Sequence, residues 1–286
     1  MKYIFLCHKS HFSSFEDYYF SLIHYFTTSE LLLYTTSAEI LDCIYNESFS
    51  ASVFLFIYYI PSCITFFDER IFLINTEQMT RPVMYEMVKD VLSKGFMVLD
   101  YSLANLQILN APSHTFFLPY YINPDELFNF DKIYDVAHCG VTNTYRQNVI
   151  DQLLDRNINI HNIIGWNRAR DEILMKHKIL INIHYNQDYR IFEEIRCNRC
   201  ILNKVIVISE TSLMADEYIL KDFIIQCNYE EIAETVEYVL KHYDAIYEEL
   251  YGDGDDDCVI ERIKHHYDNY LQEFFWHCER EDPRRP

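Results

Sequence analysis

The residues best suited to chemistry lie between positions 179 and 210, where polar side chains follow two apolar runs. His184 follows the first run, Glu193 is predicted in the first turn of a helix, and the second run ends on Ser209 and Glu210. A carboxylate at a helix start can accept the two hydroxyls of a ribose, and the N–H groups beside it suit a pyrophosphate. The imidazole could contact a phosphate or a sugar. The alternative is that Glu193 only complements the helix dipole and that His184 fills a loop.

The charge pattern points to a small anion rather than to nucleic acid. The chain has 286 residues and a net charge of -20, so it lacks the basic surface that nucleic-acid binding requires. Between Arg168 and Lys204 the balance reverses, with 8 basic and 5 acidic side chains, and this segment includes Arg190 and Arg196. Such a local island can hold a small anion. The alternative is an ordinary solvated helix face.

Other familiar sites are excluded or weak. The chain has only 5 glycines, and their spacing forms neither a dinucleotide-binding fingerprint nor a phosphate loop. Cys197 and Cys200 form one C-x2-C pair without a second pair at zinc-ribbon distance. The acidic run 253–257 fails as a calcium loop and is interpreted as an exposed turn. We therefore expect no metal and no cofactor.

The cysteines and the N-terminal residues indicate an intracellular protein. The chain has 9 cysteines, an odd count, and the apolar run at residues 3–7 is too short for a signal peptide. Residues 51–67 are the only stretch that suggests a membrane span, and a buried strand followed by a loop explains them better. We expect a cytoplasmic chain with free thiols and no transmembrane segment. The richness in Tyr, Phe and Ile suggests an AT-rich source such as a large DNA virus.

The elements that must position these residues alternate between short β-rich runs and amphipathic helices. This alternation occurs twice, which predicts an α/β protein with two Rossmann-like, doubly wound parallel-sheet domains facing a cleft. The expected boundaries are residues 1–120 for the first domain, 119–131 for a linker, and 132–286 for the second domain, whose terminal helices cross back. Ligands of such sheets bind beyond the carboxyl ends of the strands.

Some local features of these elements are also predicted from the sequence. Ser13 and Glu16 have the spacing of a capping box, so the first helix is expected to begin there. One long helix is expected over Tyr229–Tyr251 and another over Asp257–Cys278.

Three short motifs resemble the donor-binding half of GT-B glycosyltransferases, most of all the group-1-like and spore-maturation-type branches. They are a strand ending in Asn182-x-His184, Phe192-Glu193 at the head of a helix, and a strand ending near Ser209-Glu210. The resemblance covers about a third of the chain, residues 134–238. Shorter segments of the first domain look similar too: 74–78, 99–102 and 118–120.

The resemblance implies a metal-independent glycosyltransferase that moves a sugar from a nucleotide-diphosphate sugar to a hydroxyl acceptor. Glu193 would match the second Glu of the Glu-x7-Glu motif and hold the ribose. Tyr185 stands at the place of the first Glu and is not acidic. The remaining residues implied in donor binding are His184, Ser209, Glu210, Gly140, Arg146, Arg190 and Arg196.

In the first domain, Glu77 and His8 each follow a predicted strand. Either could take the proton of the acceptor hydroxyl if the transfer is a direct displacement. The alternatives are that Glu77 pairs with Arg81 and that His8 is a strand-end histidine held by backbone groups.

Two other functions stay open. The chain could be a non-catalytic nucleotide-sugar or glycan binding module, which the missing acid at Tyr185 favours. It could also be an interaction protein whose acidic C-terminal helices meet a basic partner, because residues 211–286 hold 20 acidic and 7 basic side chains. The sequence leaves the donor base and sugar, the acceptor, the stereochemistry and the oligomeric state undetermined.

Overall fold

The structure is a computed structural model that describes residues 1–280 except 24, 27, 47–51, 67, 119, 121–123, 166 and 253–255. The chain divides into two compact units. Unit 1 comprises Met1–Tyr120 and His265–Pro286, and unit 2 comprises Tyr121–Lys264. Each unit is built on one parallel sheet, so the predicted fold class of two parallel-sheet α/β domains is confirmed.

Unit 1 contains a six-stranded parallel sheet in the order β2-β1-β3-β4-β5-β6. Its strands are β1 (Lys2–His8), β2 (Ser29–Tyr34), β3 (Ser52–Ile57), β4 (Ile71–Asn75), β5 (Met97–Asp100) and β6 (Thr115–Phe117). Every residue of β3, β4 and β5 is buried, as expected for strands covered by helices on both faces. The strand order reverses direction between β1 and β3, which defines the topological switch point of this sheet.

The helices of unit 1 include α1 (Lys9–Leu22), α2 (Ser37–Asn46), α3 (Pro82–Ser93) and α4 (Leu103–Leu109). The last helix, α10 (Asp256–Arg280), also packs on this unit from His265 onward. Phe274 of α10 is fully buried, and its ring centroid lies 5.2 Å from that of Phe72 and 6.0 Å from that of Phe26. Aromatic packing therefore attaches the end of the chain to the first sheet.

Unit 2 contains a five-stranded parallel sheet in the order β11-β10-β9-β7-β8. Its strands are β7 (Tyr134–Cys139), β8 (Ile160–Ile163), β9 (His177–Asn182), β10 (Ile206–Glu210) and β11 (Ile224–Cys227). Its helices include α5 (Thr144–Asp155), α6 (Asn167–Leu174), α7 (Glu194–Leu202), α8 (Ile232–Lys241) and α9 (Tyr243–Tyr251). The switch point of this sheet lies between β7 and β9.

Part of the predicted linker packs within unit 2. A carboxylate oxygen of Glu126 lies 3.1 Å from a guanidinium nitrogen of Arg199, and the Phe128 N–H donates to Asn203 Oδ1 at 2.5 Å. Arg199 also forms a buried ion pair with Asp171 of α6. Residues 119 and 121–123 of the linker lie outside the described residues.

Three local predictions were wrong or imprecise. Helix α1 begins at Lys9 rather than near Ser13, because the His8 side chain accepts a hydrogen bond from the Ser10 N–H and caps the helix. The predicted helix over Tyr229–Tyr251 is two helices separated at His242, whose backbone is not helical. Helix α7 begins at Glu194, so Glu193 is its N-cap residue rather than part of its first turn.

No helix among the described residues is long and apolar enough to cross a membrane. The eight cysteines whose side chains the structure describes are all free thiols.

Candidate functional site

The candidate site lies in unit 2, at the switch point between β7 and β9. Arg196 of α7 reaches both strand ends: its Nη1 donates to the Cys139 carbonyl at 2.5 Å and its Nη2 donates to Asn182 Oδ1 at 2.8 Å. Gly140, the residue after β7, has a φ of +133°, a conformation that favours glycine. A Cβ atom at Gly140 would lie 3.2 Å from Arg196 Nη1 and 3.5 Å from Arg146 Nη1. Both guanidinium groups therefore converge on this glycine.

Arg146 of α5 approaches the same point from the other side. It is 5% exposed, although it carries a charge. Its Nε donates to the carbonyls of Ile183 and His184 at 3.0 and 3.2 Å, and its Nη1 donates to the Val141 carbonyl at 2.7 Å. Asn143 caps α5 by accepting the Arg146 N–H at 3.0 Å, which fixes where this side chain begins.

The two guanidinium groups create a concentration of positive charge. Burial, with Arg196 nearby, lowers the pKa of Arg146 to about 10. Burial alone would lower the pKa of Arg196 too, but the Glu193 carboxylate and neighbouring thiols outweigh it and the pKa is raised. Within the described part of the chain, the hydrogen bonds of both groups go to carbonyl and amide oxygens, and neither forms an ion pair. Arg196 Nε is buried without a hydrogen-bond partner. An anion is the ligand that such a site would favour.

Glu193 stands beside this pair at the beginning of α7. Its backbone carbonyl accepts hydrogen bonds from the N–H groups of Arg196 and Cys197, at 3.1 and 3.0 Å. Its carboxylate is close enough to influence the pKa of Arg146, Arg196 and His184. The structure thus brings Glu193, Arg146, Arg196 and Gly140 together at the carboxyl edge of the sheet of unit 2.

Glu210 is a buried carboxylate that supports the site through hydrogen bonds to protein groups. This side chain is 7% exposed; one carboxylate oxygen accepts the His184 N–H at 3.0 Å and the other accepts the Tyr145 hydroxyl at 2.6 Å. Burial, together with the charge of Glu210, raises the pKa of that phenol. Glu210 accepts the His184 N–H and Arg146 donates to the His184 carbonyl, so both side chains are bonded to the backbone of the same residue.

His184 and Ser209 are also buried. His184 Nε2–H donates to the Thr211 carbonyl at 3.2 Å, and its Nδ1 is buried without a partner. Burial lowers the pKa of His184. Ser209 Oγ accepts the amide of Asn182 at 3.0 Å and donates to the Glu210 carbonyl at 2.9 Å. Ser209 is therefore part of the support of the strand ends.

Tyr185 and Arg190 lie at the exposed rim. Tyr185 is 43% exposed; its ring stacks on Tyr189 at 5.6 Å between centroids, and the Arg146 guanidinium lies 5.6 Å from the Tyr185 centroid. The Arg190 side chain is exposed, and no described contact brings it to Gly140. Arg146 and Arg196, and not Arg190, are therefore the arginines that lie near the glycine.

The two predicted catalytic residues lie in unit 1, His8 at the end of β1 and Glu77 in the loop after β4. His8 ends β1, and its Nδ1 accepts the Ser10 N–H at 3.3 Å and contacts Ser10 Oγ at 2.7 Å. Because Nδ1 is engaged as an acceptor, neutral His8 carries its proton on Nε2. Glu77 follows β4 and forms an ion pair with Arg81. The structure therefore contains the contacts that both alternatives predict: Glu77 pairs with Arg81, and His8 is a strand-end histidine bonded to a backbone N–H.

Aromatic side chains and a histidine lie close together near the switch point between β1 and β3 of unit 1. Tyr58 follows β3 with a φ of +80°, which is rare for an aromatic residue. Its ring lies 5.2 Å from that of His11 and 5.3 Å from that of Phe15.

A buried polar cluster in unit 1 was missed. Asp100 ends β5 and is 0% exposed, and its carboxylate accepts hydrogen bonds from Asn75 Nδ2 at 2.6 Å and Asn105 Nδ2 at 2.9 Å. Burial raises the pKa of Asp100 to about 7. The available signal was that Asn75 and Asp100 are polar residues ending consecutive apolar strands.

Among the described residues, no group of three or more His, Cys, Asp or Glu side chains could hold a metal ion.

No protein-family model matches the chain. It is similar to three proteins of Acanthamoeba polyphaga mimivirus, each named an uncharacterized protein. Identity is 30% over 174 residues with L140, covering 57% of each chain. It is 27% over 265 residues with L138, covering 84% of this chain and 29% of that protein, and 27% over 209 residues with R358, covering 71% and 72%. The chain thus spans a little over half of L140 and less than a third of L138. These relatives agree with the predicted viral source.

Among solved structures, an α1,3-fucosyltransferase aligns with 87% of this chain and 80% of its own, at 13% identity and a TM-score of 0.40.

Proposed function

We propose that the chain is a glycosyltransferase that moves a sugar from a nucleotide-diphosphate sugar to a hydroxyl acceptor. The observation that carries the proposal is the convergence of Arg146 and Arg196 on Gly140, at the switch point between β7 and β9. Open parallel sheets bind their ligands at such points. Two buried guanidinium groups with carbonyl and amide partners favour an anionic ligand, and a diphosphate supplies the charge.

In this proposal the guanidinium groups stabilise the diphosphate as it departs. Charge develops on the leaving oxygen in the transition state, and donors already held in place stabilise it without reorganising. Arg196 is fixed by the ends of β7 and β9, and Arg146 by the carbonyls after them. Glu193 would accept the ribose hydroxyls beside them. The chemistry requires no metal ion at this position.

For the acceptor hydroxyl, Glu77 is the better candidate base in unit 1. The lone pair of His8 that could take a proton already accepts the Ser10 N–H, so His8 is better suited to donate from Nε2. This assignment predicts that Glu77→Gln lowers the transfer rate more than His8→Gln.

A non-catalytic nucleotide-sugar binding module is the second candidate. Tyr185 favours it, because this position lacks the carboxylate that the resemblance would place there. A transfer and donor-hydrolysis assay with nucleotide-sugars distinguishes the two functions, since a module would bind the nucleotide without turnover.

The first test is a thermal-shift screen against nucleoside diphosphates and nucleotide-sugars. We expect at least one of them to raise the melting temperature, and Glu193→Ala to abolish that shift. Glu234→Ala is the matched control, because Glu234 is an exposed acid in the first turn of α8 on the same unit. A screen without any shift, or an unchanged shift in Glu193→Ala, would contradict the proposal.

A further inference from the structure

The loop between β4 and α3, residues 76–81, carries Glu77 and is held by an unusual set of hydrogen bonds. Asn75 Nδ2 donates to the Glu77 carbonyl at 2.8 Å, and Asn105 Nδ2 donates to the same carbonyl at 2.9 Å. Asn75 Oδ1 accepts the Glu77 N–H at 3.1 Å, and Asn105 Oδ1 accepts the Met79 N–H at 2.8 Å. Two amide side chains therefore fix the backbone on both sides of Glu77.

The Asp100 carboxylate determines the orientation of the Asn75 and Asn105 side-chain amides. Each Nδ2 group has two protons, one directed to the Glu77 carbonyl and the other to the Asp100 carboxylate. A carboxylate only accepts hydrogen bonds, so it attracts the NH2 end of each amide and repels the oxygen end. With Asp100 ionised, both amide oxygens must therefore face the N–H groups of the loop.

Within the loop, the Arg81 N–H donates to the Gln78 carbonyl at 3.1 Å and Arg81 pairs with Glu77. The hydroxyls of Thr76 and Thr80 are buried without hydrogen-bond partners, a cost that a relaxed loop would avoid. From outside the loop, the amide side chains of Asn75 and Asn105 hold its backbone, and both of them also donate to Asp100.

We propose that Asp100 is a positioning residue that sets the orientation of Glu77 through Asn75 and Asn105. The inference rests on the proposed function, in which Glu77 is the candidate base. Asp100 lies under the loop and is fully buried, so its carboxylate contacts protein groups rather than solvent. Its role is to fix the backbone from which the Glu77 carboxylate projects.

The charged surroundings of Asp100 are simple. The neighbouring elements β4, β6 and α4 contain no other ionisable side chain, and the loop contributes only Glu77 and Arg81, which pair with each other. Helix α3 also packs on β5, and its charged side chains, Glu86, Lys89 and Asp90, are exposed. Protonation would turn one acceptor oxygen into a donor that faces the NH2 groups. The arrangement therefore requires the ionised form, while burial favours the protonated one.

The test uses Asp100→Asn and amide hydrogen exchange followed by NMR. Asp100 Oδ1 accepts from both Asn105 and the Ser102 N–H, whereas Oδ2 accepts from Asn75 alone. The new amide should keep its oxygen at the first position and place its NH2 group against that of Asn75, which must then turn. We expect the Glu77 N–H to exchange about tenfold faster, while the Met79 N–H changes little.

Asp90→Asn is the matched control, since Asp90 is an exposed acid on α3 of the same unit. If Asp100→Asn does not fold, Asn75→Ala removes the same link and should give the same pattern. In the wild type, Glu77 N–H exchange corrected for its intrinsic pH dependence should also increase as the pH falls through 7, and Asp100→Asn should lose this response. Equal exchange of the Glu77 N–H in wild type and variant would overturn the inference.

This experiment is independent of the proposed activity. Nucleotide binding by unit 2 should survive Asp100→Asn, so a failed ligand screen and an unchanged loop are separate outcomes. If transfer is observed, Asp100→Asn should lower kcat with little change in the KM for the donor.

Discussion

The carboxyl edges of the two sheets share a strand order but differ in chemistry. In both units the second strand lies outside the first and the third lies on its other side. The edge of unit 2 buries two guanidinium cations, whose hydrogen bonds go to carbonyl and amide oxygens, together with the Glu210 carboxylate, which accepts from neutral N–H and O–H groups. The edge of unit 1 buries one anion, Asp100, which neutral N–H groups satisfy. The arrangement in unit 2 favours the binding of an anionic ligand. In unit 1 the Asp100 carboxylate has its hydrogen bonds without a ligand, and its partners Asn75 and Asn105 hold the backbone of the loop that carries Glu77.

The largest expected effect concerns the buried anion. The pKa of Asp100 is about 7 in the folded chain, against about 3.9 for an unperturbed Asp. Between these values the folded state binds the extra proton, so this group makes the free energy of unfolding decrease as the pH rises from 4 to 7. At about 1.4 kcal/mol per pKa unit, the full loss is about 4 kcal/mol. Urea unfolding of wild type and Asp100→Asn across this range measures it.

Asp100→Asn should show a smaller decrease than the wild type, because it removes the titrating group. Parallel pH profiles of the two proteins would show that the buried carboxylate does not titrate in this range, which would contradict a pKa of about 7 for Asp100.

A smaller effect is expected at Gly140. Gly140→Ala forces a side chain into a φ of +133° and places its Cβ 3.2 Å from Arg196 Nη1. Gly165→Ala meets a similar φ of +130° but has nothing within 4 Å. Each substitution should lower the free energy of unfolding by about 1–3 kcal/mol through backbone strain. Only Gly140→Ala should also weaken nucleotide binding, because only there must the guanidinium groups move.

Chemical denaturation gives the stability of both variants, and calorimetric titration gives their affinity. Equal loss of nucleotide affinity in the two variants would mean that strain alone, rather than contact with the arginines, accounts for the effect.

The sequence predicted the fold well because apolar runs mark buried strands, and β3 and β4 are buried along their whole length. It failed at the start of α1, since His8 caps that helix while Ser13 and Glu16 merely match a capping-box spacing. The rule that ligands bind beyond strand ends led to the region after β7, where Arg146 and Arg196 converge on Gly140.

The contacts within each edge could not be predicted, because they depend on which strands are neighbours. Arg196 can bridge Cys139 and Asn182 only because β7 pairs with β9, whose paired residues lie 43 positions further along the chain. Asp100 can contact Asn75 only because β4 pairs with β5, where the two residues are directly opposite. Strand order and register decide these contacts, and the sequence pattern specifies neither of them.

The most direct test of the cationic edge is calorimetric titration of the full chain with UDP and GDP, comparing the wild type with Arg196→Met. Arg168→Met is the control, because Arg168 is a cation on the same unit whose side chain is 70% exposed. A charged hydrogen bond contributes about 1.5–3 kcal/mol, so Arg196→Met should weaken binding of the preferred diphosphate by about 10- to 100-fold, and Arg168→Met should leave it unchanged. Equal Kd values for the wild type and Arg196→Met, or no binding of either diphosphate to the wild type, would contradict the account.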